Sequence, residues 1–164
     1  MSVLPDILGP TLKVVFCGTA AGAASAKRGA YYAGPGNKFW QIIHEIGLTD
    51  RVLTPEEYPE VLRLGIGLTD VAKLTSGADS TLRAAHFDTE RLRDVIMQHR
   101  PRALAFNGKK AAQAFLQDSC VFGRQTQSVG ATLIYVLPST SGAANGSWNE
   151  APWYELARDL KSAS

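Results

Sequence analysis

The chain has few of the features that mark a membrane, secreted or metal-stapled protein. Its two cysteines, Cys17 and Cys120, are too few for a disulfide framework or a four-thiolate zinc site. Cys17 ends an apolar run, which is typical of a buried reduced thiol. No apolar run reaches the roughly 18 residues of a membrane span, and no basic segment precedes an apolar stretch at the N-terminus. These absences predict a cytoplasmic protein with no membrane partner.

Charge of one sign is also scarce. The chain carries 17 Lys and Arg against 15 Asp and Glu, so its formal net charge is +2 over 164 residues. This balance excludes a histone-like polycation, although a small basic face can still bind nucleic acid. With 45% apolar and 20% charged residues, the composition is typical of a soluble globular protein. We expect a single domain spanning residues 1–164, and a monomer.

Common catalytic signatures are missing as well. No Gly-x-Ser-x-Gly occurs, and the histidines His44, His86 and His99 lack metal-ligand spacing. The segment Gly18–Gly22 follows an apolar run but has neither a phosphate-loop lysine nor a complete Gly-x-Gly-x-x-Gly. We therefore predict no metal and no cofactor. The small side chains of Gly18–Gly22 instead let backbone N–H groups come close to a flat ligand.

Strand-like and helix-like segments alternate along the chain. Leu12–Cys17, Ala103–Phe106 and Thr132–Leu137 are apolar and β-rich, and Gly65–Asp70 is a short apolar turn or strand end. Helices are predicted between or after them, at Lys38–Gly47, Pro55–Leu64 and Asp88–His99, from Lys109, and at Pro152–Lys161. This alternation predicts an α/β fold with a parallel, helix-covered sheet of about four strands.

Unusual loops follow the predicted strands. The Gly- and Ala-rich stretch Gly18–Asn37, the pair Asn107-Gly108 and the small-residue loop Pro138–Trp148 all follow strands, and the segment around Asp70 joins them. Ligands of such sheets bind beyond the carboxyl ends of the strands, and long loops in compact domains are often functional. The alternative is that these are ordinary turn residues.

Several residues in these loops have both a functional and a structural interpretation. Asp70 is either a helix cap or salt-bridge partner, perhaps of Lys73, or a carboxylate that activates water. Of Tyr31 and Tyr32, we expect one to stack on a base and one to pack internally. Ser139–Gly142 is either a capped turn or a group of hydroxyls and amides that bind phosphate. Basic side chains could add positive charge on the same face: Lys27, Arg28, Lys38, Lys109 and Lys110.

Four blocks of sequence become recognisable when they are considered together. They are Leu12–Gly18, the Gly-Pro-Gly-Asn-Lys-Phe-Trp of Gly34–Trp40, the Phe-Asn-Gly-Lys of Phe106–Lys109, and the Leu-Pro-Ser-Thr-Ser-Gly of Leu137–Gly142. In this order and spacing they resemble the mismatch-specific uracil/thymine DNA glycosylases, a branch of the uracil-DNA glycosylase superfamily. The resemblance covers roughly the whole chain. It implies a three-layer α/β/α fold with a central, mostly parallel sheet of four to five strands.

The resemblance also implies roles for individual residues. The flipped base would enter a pocket that Tyr32 closes by stacking and that includes Asn37 and Phe39, together with the backbone segment Gly18, Thr19, Ala20, Ala21 and Gly22. Phosphates would be held by Ser139, Thr140, Ser141 and Gly142, with Ser25 and Lys38 nearby. The wedge that fills the vacated base stack would be Ala143, Ala144 and Asn145.

The first motif departs from the family pattern. Ala20 stands where the family has an Asn that holds the attacking water, and a methyl group cannot hold water. We therefore predict that Asp70 is the catalytic residue, orienting water and stabilising an oxocarbenium-like sugar. The wedge Ala143-Ala144 is also smaller than the family's apolar wedge, and Asn145 or Trp148 would compensate. Lys73 is expected at the surface, so hydrolysis is favoured over lyase chemistry.

These observations leave three functional hypotheses. The leading one is a DNA glycosylase that hydrolyses the N-glycosidic bond of a damaged base, most simply uracil, acting on DNA at the nucleoid. The alternative is a damaged-DNA binding protein that has lost catalysis, as Ala20 suggests. A weaker one is a nucleotide-binding protein or small-molecule hydrolase. For DNA binding, the acids of Pro55–Glu60 and Asp88–Asp94 should lie away from the strand-end face.

Overall fold

A computed structural model describes residues 3–77 and 86–162. Its five strands form one sheet in the order β2-β1-β3-β5-β4. β1, β2 and β3 pair in parallel, β5 pairs in parallel with β3, and β4 is an antiparallel edge strand. The strand bounds are β1 Val14–Gly18, β2 Ile66–Asp70, β3 Ala103–Asn107, β4 Gly123–Val129 and β5 Thr132–Leu137. The predicted mostly parallel sheet is confirmed.

Helices cover both faces of this sheet. The α-helices are α1 Ala23–Arg28, α2 Phe39–Glu45, α3 Thr89–His99, α4 Lys109–Leu116 and α5 Ala151–Ser162, and 3-10 helices span Pro55–Leu64 and Gly142–Ser147. Within the described residues, no helix is long and apolar enough to cross a membrane.

Alternation along the strands creates two separate apolar cores. In β1, Val14 and Phe16 face the layer formed by α2, α5 and the 3-10 helix Pro55–Leu64. Val15 and Cys17 face the layer of α3 and α4. A strand that is buried on both faces reads as a continuous apolar run, because each residue meets one of two helical layers. The three-layer α/β/α arrangement is thereby confirmed, and Cys17 is a buried free thiol as predicted.

The local signals fixed most helix ends to within a residue or two. Asp88 caps α3 by accepting a hydrogen bond from Arg91 N at 3.0 Å. Asn37 Oδ1 accepts from Phe39 N at 3.0 Å, and α2 begins at Phe39, one residue after the predicted start. The segment Pro55–Leu64 was predicted as a helix and is a 3-10 helix with a capping box at Thr54 and Glu57.

Two elements were missed from the sequence. α1 lies inside the stretch that was predicted as one long loop, between Gly22 and the left-handed Gly29 (φ 65°), and glycines at both ends hid its short alanine-rich body. β4 has the polar sequence Gly-Arg-Gln-Thr-Gln-Ser-Val and is mostly solvent-facing. A polar edge strand lacks the apolar alternation on which strand prediction depends. Gly65–Asp70, taken as a turn or strand end, contains the full strand β2.

Candidate active site

A cavity of about 420 Å³ lies at the carboxyl ends of β1, β3 and β5. β1 and β3 are neighbours whose chain connections leave in opposite directions, which is the usual position of a ligand crevice in such sheets. Five segments of the chain line it: Gly18, Thr19, Ala20, Gly22 and Ser25 at the end of β1 and the start of α1; Tyr32, Gly34, Pro35 and Asn37 before α2; Gly77; Asn107 at the end of β3; and Ser139–Ala144 after β5. The loops that follow β1, β3 and β5 converge as predicted, whereas the segment around Asp70, predicted to join them, does not line the cavity.

Gly18 marks the place where the first strand opens to the cavity. A Cβ at this position would lie 2.8 Å from Asp70 Oδ1 and 3.4 Å from the Tyr32 hydroxyl. Such a contact with Oδ1 is closer than real Cβ atoms make, so a side chain here would displace the carboxylate. The absence of a side chain at Gly18 thus lets the Asp70 carboxylate and the Tyr32 hydroxyl approach the same edge of the cavity.

Asp70 ends β2 beside Gly18 and is only 4% exposed. Its carboxylate lies behind Gly18 and does not itself line the cavity. Burial is the largest effect and raises its pKa to about 6. The positive charge of Lys73 lowers the pKa, the negative charge of Asp6 raises it, and Arg91 and the Gly18 backbone lower it. A carboxyl with such a pKa is mostly ionised near neutral pH and can still accept a proton there, as a general base must.

Tyr32 forms the aromatic wall of the cavity in a strained conformation. Its φ of 54° lies in the left-handed region that non-glycine residues rarely adopt, and such strain concentrates at functional sites. One face of its ring stacks on Phe39 with centroids 4.0 Å apart. Its buried hydroxyl makes no well-formed hydrogen bond within the described residues, although the Asn107 side chain lies close to it. Burial, followed by the charges of Asp70 and Cys17, raises the pKa of this hydroxyl by more than Asn107 lowers it, so it stays protonated and can donate.

Of the two tyrosines, Tyr31 is the one that packs internally, and Tyr32 is the one that faces the cavity. Tyr31 is 2% exposed and packs internally, with its hydroxyl donating to Pro5 O at 2.9 Å. Phe39 was predicted as a pocket residue, but it is fully buried and supports the Tyr32 ring from behind. Tyr32 can therefore offer a ligand only the parts of its ring that Phe39 does not cover.

The opposite side of the cavity is built by the ends of β3 and β5. Asn107 is 8% exposed; its Nδ2 donates to Thr140 Oγ1 and its Oδ1 accepts from Thr140 N, both at 2.9 Å. Thr140 is only 1% exposed. Thr140 lines the cavity, but its hydroxyl oxygen accepts from Asn107, so the prediction that it holds phosphate stays a prediction.

Two of the lining loops are joined to each other. Lys38 N donates to Thr140 O at 2.9 Å, and a Cβ on Gly142 would lie 3.0 Å from Pro35 O. Glycine at this position lets the Gly34–Asn37 and Ser139–Gly142 loops approach closely without displacing Pro35 O. The Gly-Pro-Gly-Asn block and the Pro-Ser-Thr-Ser-Gly block therefore form one rim of the cavity together.

The end of that rim carries small polar groups. Ser139 Oγ accepts from Ser141 N, and Ser141 Oγ accepts from Ala143 N, both at 3.2 Å. Ala143 is exposed and Ala144 half-buried, and both line the cavity. Asn145 belongs to the 3-10 helix Gly142–Ser147, and its side chain lies outside what the structure describes.

The basic side chains do not all serve this rim. Arg28 donates both to Glu56, with its Nη2 2.7 Å from Oε2, and to Ala33 O. Glu56, one of the acids expected away from the strand-end face, therefore pairs with Arg28, one of the basic residues expected on that face. Lys38 Nζ sits 5.5 Å above the Trp148 ring, and Lys109 Nζ 4.5 Å above Phe122. Little positive charge is thus committed to the cavity.

The structure brings together most of the residues that the sequence singled out, with some exceptions. Four of them do not line the cavity: Ala21, Lys38, Phe39 and Asp70. Ser25 does line it, although only 5% of its surface is exposed. The sequence placed the loops that hold Gly34, Pro35 and Asn107 at the site without singling out these residues, and it missed Gly77 altogether. Asn107 had a signal, since a polar residue that ends a buried strand faces the ligand crevice.

The cavity suits a flat, polar ligand without a large charge. Its walls supply backbone groups of Gly18–Gly22, an aromatic ring with a hydroxyl, and an amide, while a buried carboxylate stands behind one edge. Across the described ranges, no group of three or more His, Cys, Asp or Glu side chains is placed to hold a metal ion.

Comparison with known proteins places this site in a family. The chain matches the model of the uracil DNA glycosylase superfamily over residues 5–161. It is also similar to a solution NMR structure from Methanosarcina acetivorans that is provisionally named a uracil DNA glycosylase. That likeness has a TM-score of 0.67 at 27% identity and covers 96% of each chain. The fold, the cavity at the strand ends and the family match agree, and the chain belongs to the uracil DNA glycosylase superfamily.

Proposed function

We propose that this protein is a monofunctional DNA glycosylase that flips a damaged base, most simply uracil, out of DNA and hydrolyses its N-glycosidic bond. The observation that carries the proposal is the meeting of Asp70 Oδ1 and the Tyr32 hydroxyl beside Gly18, at the edge of a cavity in a member of this superfamily. The cavity of about 420 Å³ lies within the range of small-ligand sites. Flipping costs a few kcal/mol, which contacts in the pocket and at the rim must offset.

The proposed reaction places the Asp70 carboxylate near the deoxyribose of the flipped nucleotide. As the bond between C1′ and the base nitrogen breaks, its electron pair leaves with the base and positive charge develops on the sugar. A water at the cavity edge beside Gly18, where the buried Asp70 carboxylate comes nearest to the cavity, forms the new bond to C1′ through its oxygen, and Asp70 accepts one of the water's protons. The base, which leaves with the electron pair, takes up a proton from solvent, and Asp70 later returns its proton to solvent, so one water is consumed and the products are the free base and an abasic site. The carboxylate also stabilises the cationic sugar electrostatically.

The remaining residues would bind rather than react. Tyr32 and the backbone of Gly18–Gly22 contact the flipped base, with Asn37 at the same wall. Ser139, Ser141 and Gly142 hold phosphates, with Ser25 and Lys38 adjacent, and Ala143, Ala144 and Asn145 occupy the place of the extruded base. Hydroxyls and amides form most protein–DNA phosphate contacts outside Lys and Arg. This is consistent with a net charge of only +2. DNA is the proposed partner, and the proposed form is a monomer acting at the nucleoid in the cytoplasm.

A second function is favoured by one specific observation. Ala20 lines the cavity with a side chain that cannot hold water, and Asp70 stands behind the lining. A protein that binds damaged DNA without cleaving it would show the same arrangement.

A base-release assay separates the two functions. End-labelled duplexes and single strands, each with one lesion (uracil, thymine opposite guanine, ethenocytosine, hypoxanthine or xanthine), are incubated with excess protein and then cleaved with alkali at abasic sites. A glycosylase gives cleavage with at least uracil. Tight binding with no release from any lesion establishes the binding protein instead.

The variant Asp70→Asn tests the assigned acid in the same assay. Loss of a general base lowers rates by roughly 10²- to 10⁴-fold. The single-turnover rate at pH 8 should fall within that range, while binding to uracil-containing DNA should be retained. Full activity of Asp70→Asn would remove Asp70 from the mechanism.

A further inference from the structure

A cluster of buried and half-buried charges lies behind the cavity, and none of its members lines it. It joins the N-terminal segment, the end of β2, the loop before α2 and the first turn of α3. Its members are Asp6, Tyr31, Thr69, Asp70, Lys73 and Arg91. Buried charges are costly unless they are paired and bonded, so a cluster of this size beside a candidate active site calls for an explanation.

Arg91 ties α3 to the end of β2. Its Nη1 donates to Asp6 Oδ2 at 2.7 Å, and its Nη2 donates to the backbone oxygen of Asp70 at 2.9 Å and to Thr69 Oγ1 at 3.1 Å. Thr69 Oγ1 in turn donates to Asp6 Oδ1 at 2.6 Å. The backbone that carries Asp70 is therefore fixed by a planar, fully charged group.

Lys73 is buried, which corrects the expectation that it lies at the surface. It is 8% exposed; its Nζ is 3.1 Å from Asp6 Oδ1 and donates to the Tyr31 hydroxyl at 3.0 Å. The same Nζ lies 5.4 Å from the centroid of the Tyr31 ring. Lys73 thus links the end of β2 to the loop that carries Tyr32.

The charges in the cluster are distributed unevenly. Asp6 makes direct ion pairs with both Lys73 and Arg91, whereas none of the ion pairs formed by the described residues uses the Asp70 carboxylate. Burial raises the pKa of Asp70, while Lys73 and Arg91 lower it and Asp6 raises it. The remaining titratable groups facing it are Cys17, Tyr31 and Tyr32, whose own pKa values are all raised, so they are neutral near pH 7.

We propose that Lys73, held in place by Asp6 and Tyr31, is a positioning residue that supplies a buried positive charge to the Asp70 carboxylate during base release. The inference rests on the proposed function. Lys73 touches neither the cavity nor the reacting atoms; it acts through Asp70. Asp6 has the opposite electrostatic effect on Asp70, even though it holds Lys73 in place.

Two substitutions of opposite charge effect test this proposal. Lys73→Met removes a positive charge and leaves Asp6 paired with Arg91, and Asp6→Asn removes a negative charge. Single-turnover release of uracil is measured from pH 5 to 9 for the wild type, both variants and the conservative Lys73→Arg. The control is Arg51→Gln, which breaks an exposed ion pair with Glu57 that includes no member of the cluster.

The expected result is a pair of shifts in opposite directions. The rate rises with pH as Asp70 ionises, so Lys73→Met should move this rise to higher pH and Asp6→Asn to lower pH. An opposite charge nearby moves a carboxyl pKa by about one unit or more. At pH 5.5, Lys73→Met should therefore be about tenfold slower relative to its own plateau than the wild type. Lys73→Arg should restore most of the wild-type profile, and Arg51→Gln should match it.

A purely structural role would lower the rate of both variants at every pH without moving the rise, and that outcome overturns the proposal. If either variant unfolds, the pKa of Asp70 is measured directly by carboxyl ¹³C NMR in the other variant and in the wild type. An unchanged value in Lys73→Met, or in Asp6→Asn if only that variant folds, also overturns it. These results differ from failure of the proposed function, in which Asp70→Asn itself retains full activity.

Discussion

The two sides of the cavity are built from different chemistry. On the β1–β2 side, Gly18 separates the cavity from a buried carboxylate, Asp70, with a cluster of paired charges behind it. On the β3–β5 side, Asn107 and Thr140 bond to each other, and the exposed end of the rim offers serine hydroxyls and backbone. The first side holds a group that can take up a proton near neutral pH; the second is neutral.

This difference indicates that the β1–β2 side carries out the reaction and the β3–β5 side binds the DNA. A reacting carboxylate needs a tuned pKa, which requires burial and nearby charges. A surface that holds phosphates and a flipped base needs fixed donors, which serines, amides and backbone supply without titrating. Substitutions on the β1–β2 side should therefore change the rate and its pH dependence, and those on the β3–β5 side should change DNA affinity.

The largest of the following effects is expected from Gly18→Ala. Its Cβ would lie 2.8 Å from Asp70 Oδ1, so the carboxylate or the strand end must move. A misplacement of about 1 Å near a reacting centre can cost roughly 10²-fold in rate. Single-turnover release of uracil should fall by about that factor, with DNA affinity little changed.

The matched control is Gly146→Ala, because a Cβ on this exposed glycine, which does not line the cavity, meets nothing within 4 Å. It should release uracil at nearly the wild-type rate. Equal rates for the two alanine variants would show that the place beside Gly18 has no role in the reaction.

Asn107→Ala should have an intermediate effect on the β3–β5 side. The substitution leaves the buried Thr140 N–H and hydroxyl without their partner, which costs about 1–3 kcal/mol of folding stability. The loosened rim should weaken binding of uracil-containing DNA about tenfold, the equivalent of about 1.4 kcal/mol, while the pH at which the rate rises stays the same. Fluorescence anisotropy with Asp70→Asn as the background measures binding without turnover.

The exposed Gln113→Ala in α4 serves as the control for Asn107→Ala. If Asn107→Ala shifts the pH profile but leaves the affinity unchanged, the division between the two sides is wrong.

The smallest effects are expected at the rim and at α1. Ser141→Ala removes one hydroxyl, and a single hydrogen bond contributes about 0.5–1.5 kcal/mol, so DNA affinity should fall two- to tenfold. Arg28→Gln should leave the affinity unchanged, because its guanidinium already binds Glu56 and Ala33 O. A larger loss of affinity in Arg28→Gln than in Ser141→Ala would contradict the claim that neutral hydroxyl and backbone groups bind the DNA phosphates.

The sequence predicted the sheet and most of the strand-end loops, because buried parallel strands read as apolar runs and Gly-rich loops stand out between them. It did not predict α1, whose short body is bounded by glycines, or β4, whose residues are polar. The sequence also did not predict which residues line the cavity and which pack behind the lining residues. Phe39 and Tyr32 are both aromatic, and only packing in three dimensions places Phe39 behind the Tyr32 ring.

Charge placement depended even more on tertiary structure. Lys73 follows Asp70 by three residues and was expected to be exposed, yet it is buried between Asp6 and Tyr31. Asp6 and Arg91 are distant in sequence from each other and from Asp70. No local pattern relates them, because the N-terminal segment and α3 meet only through the folded end of β2.

The parallel measurement of rate and thermal stability for Asp70→Asn tests the central claim most directly. The pKa of Asp70 is raised from 3.8 to about 6, so the folded protein binds this proton more tightly than the unfolded chain. The ionised carboxylate therefore lowers stability as pH rises between these values, by about 2–3 kcal/mol in total, an order-of-magnitude figure. At pH 8, Asp70→Asn should release uracil at least about 10²-fold more slowly, yet melt several degrees higher than the wild type. At pH 4 the gain in Tm should largely disappear. An Asp70→Asn protein that is fully active, or that melts lower than the wild type at pH 8, would contradict the account of Asp70 as an acid held for reaction at the expense of stability.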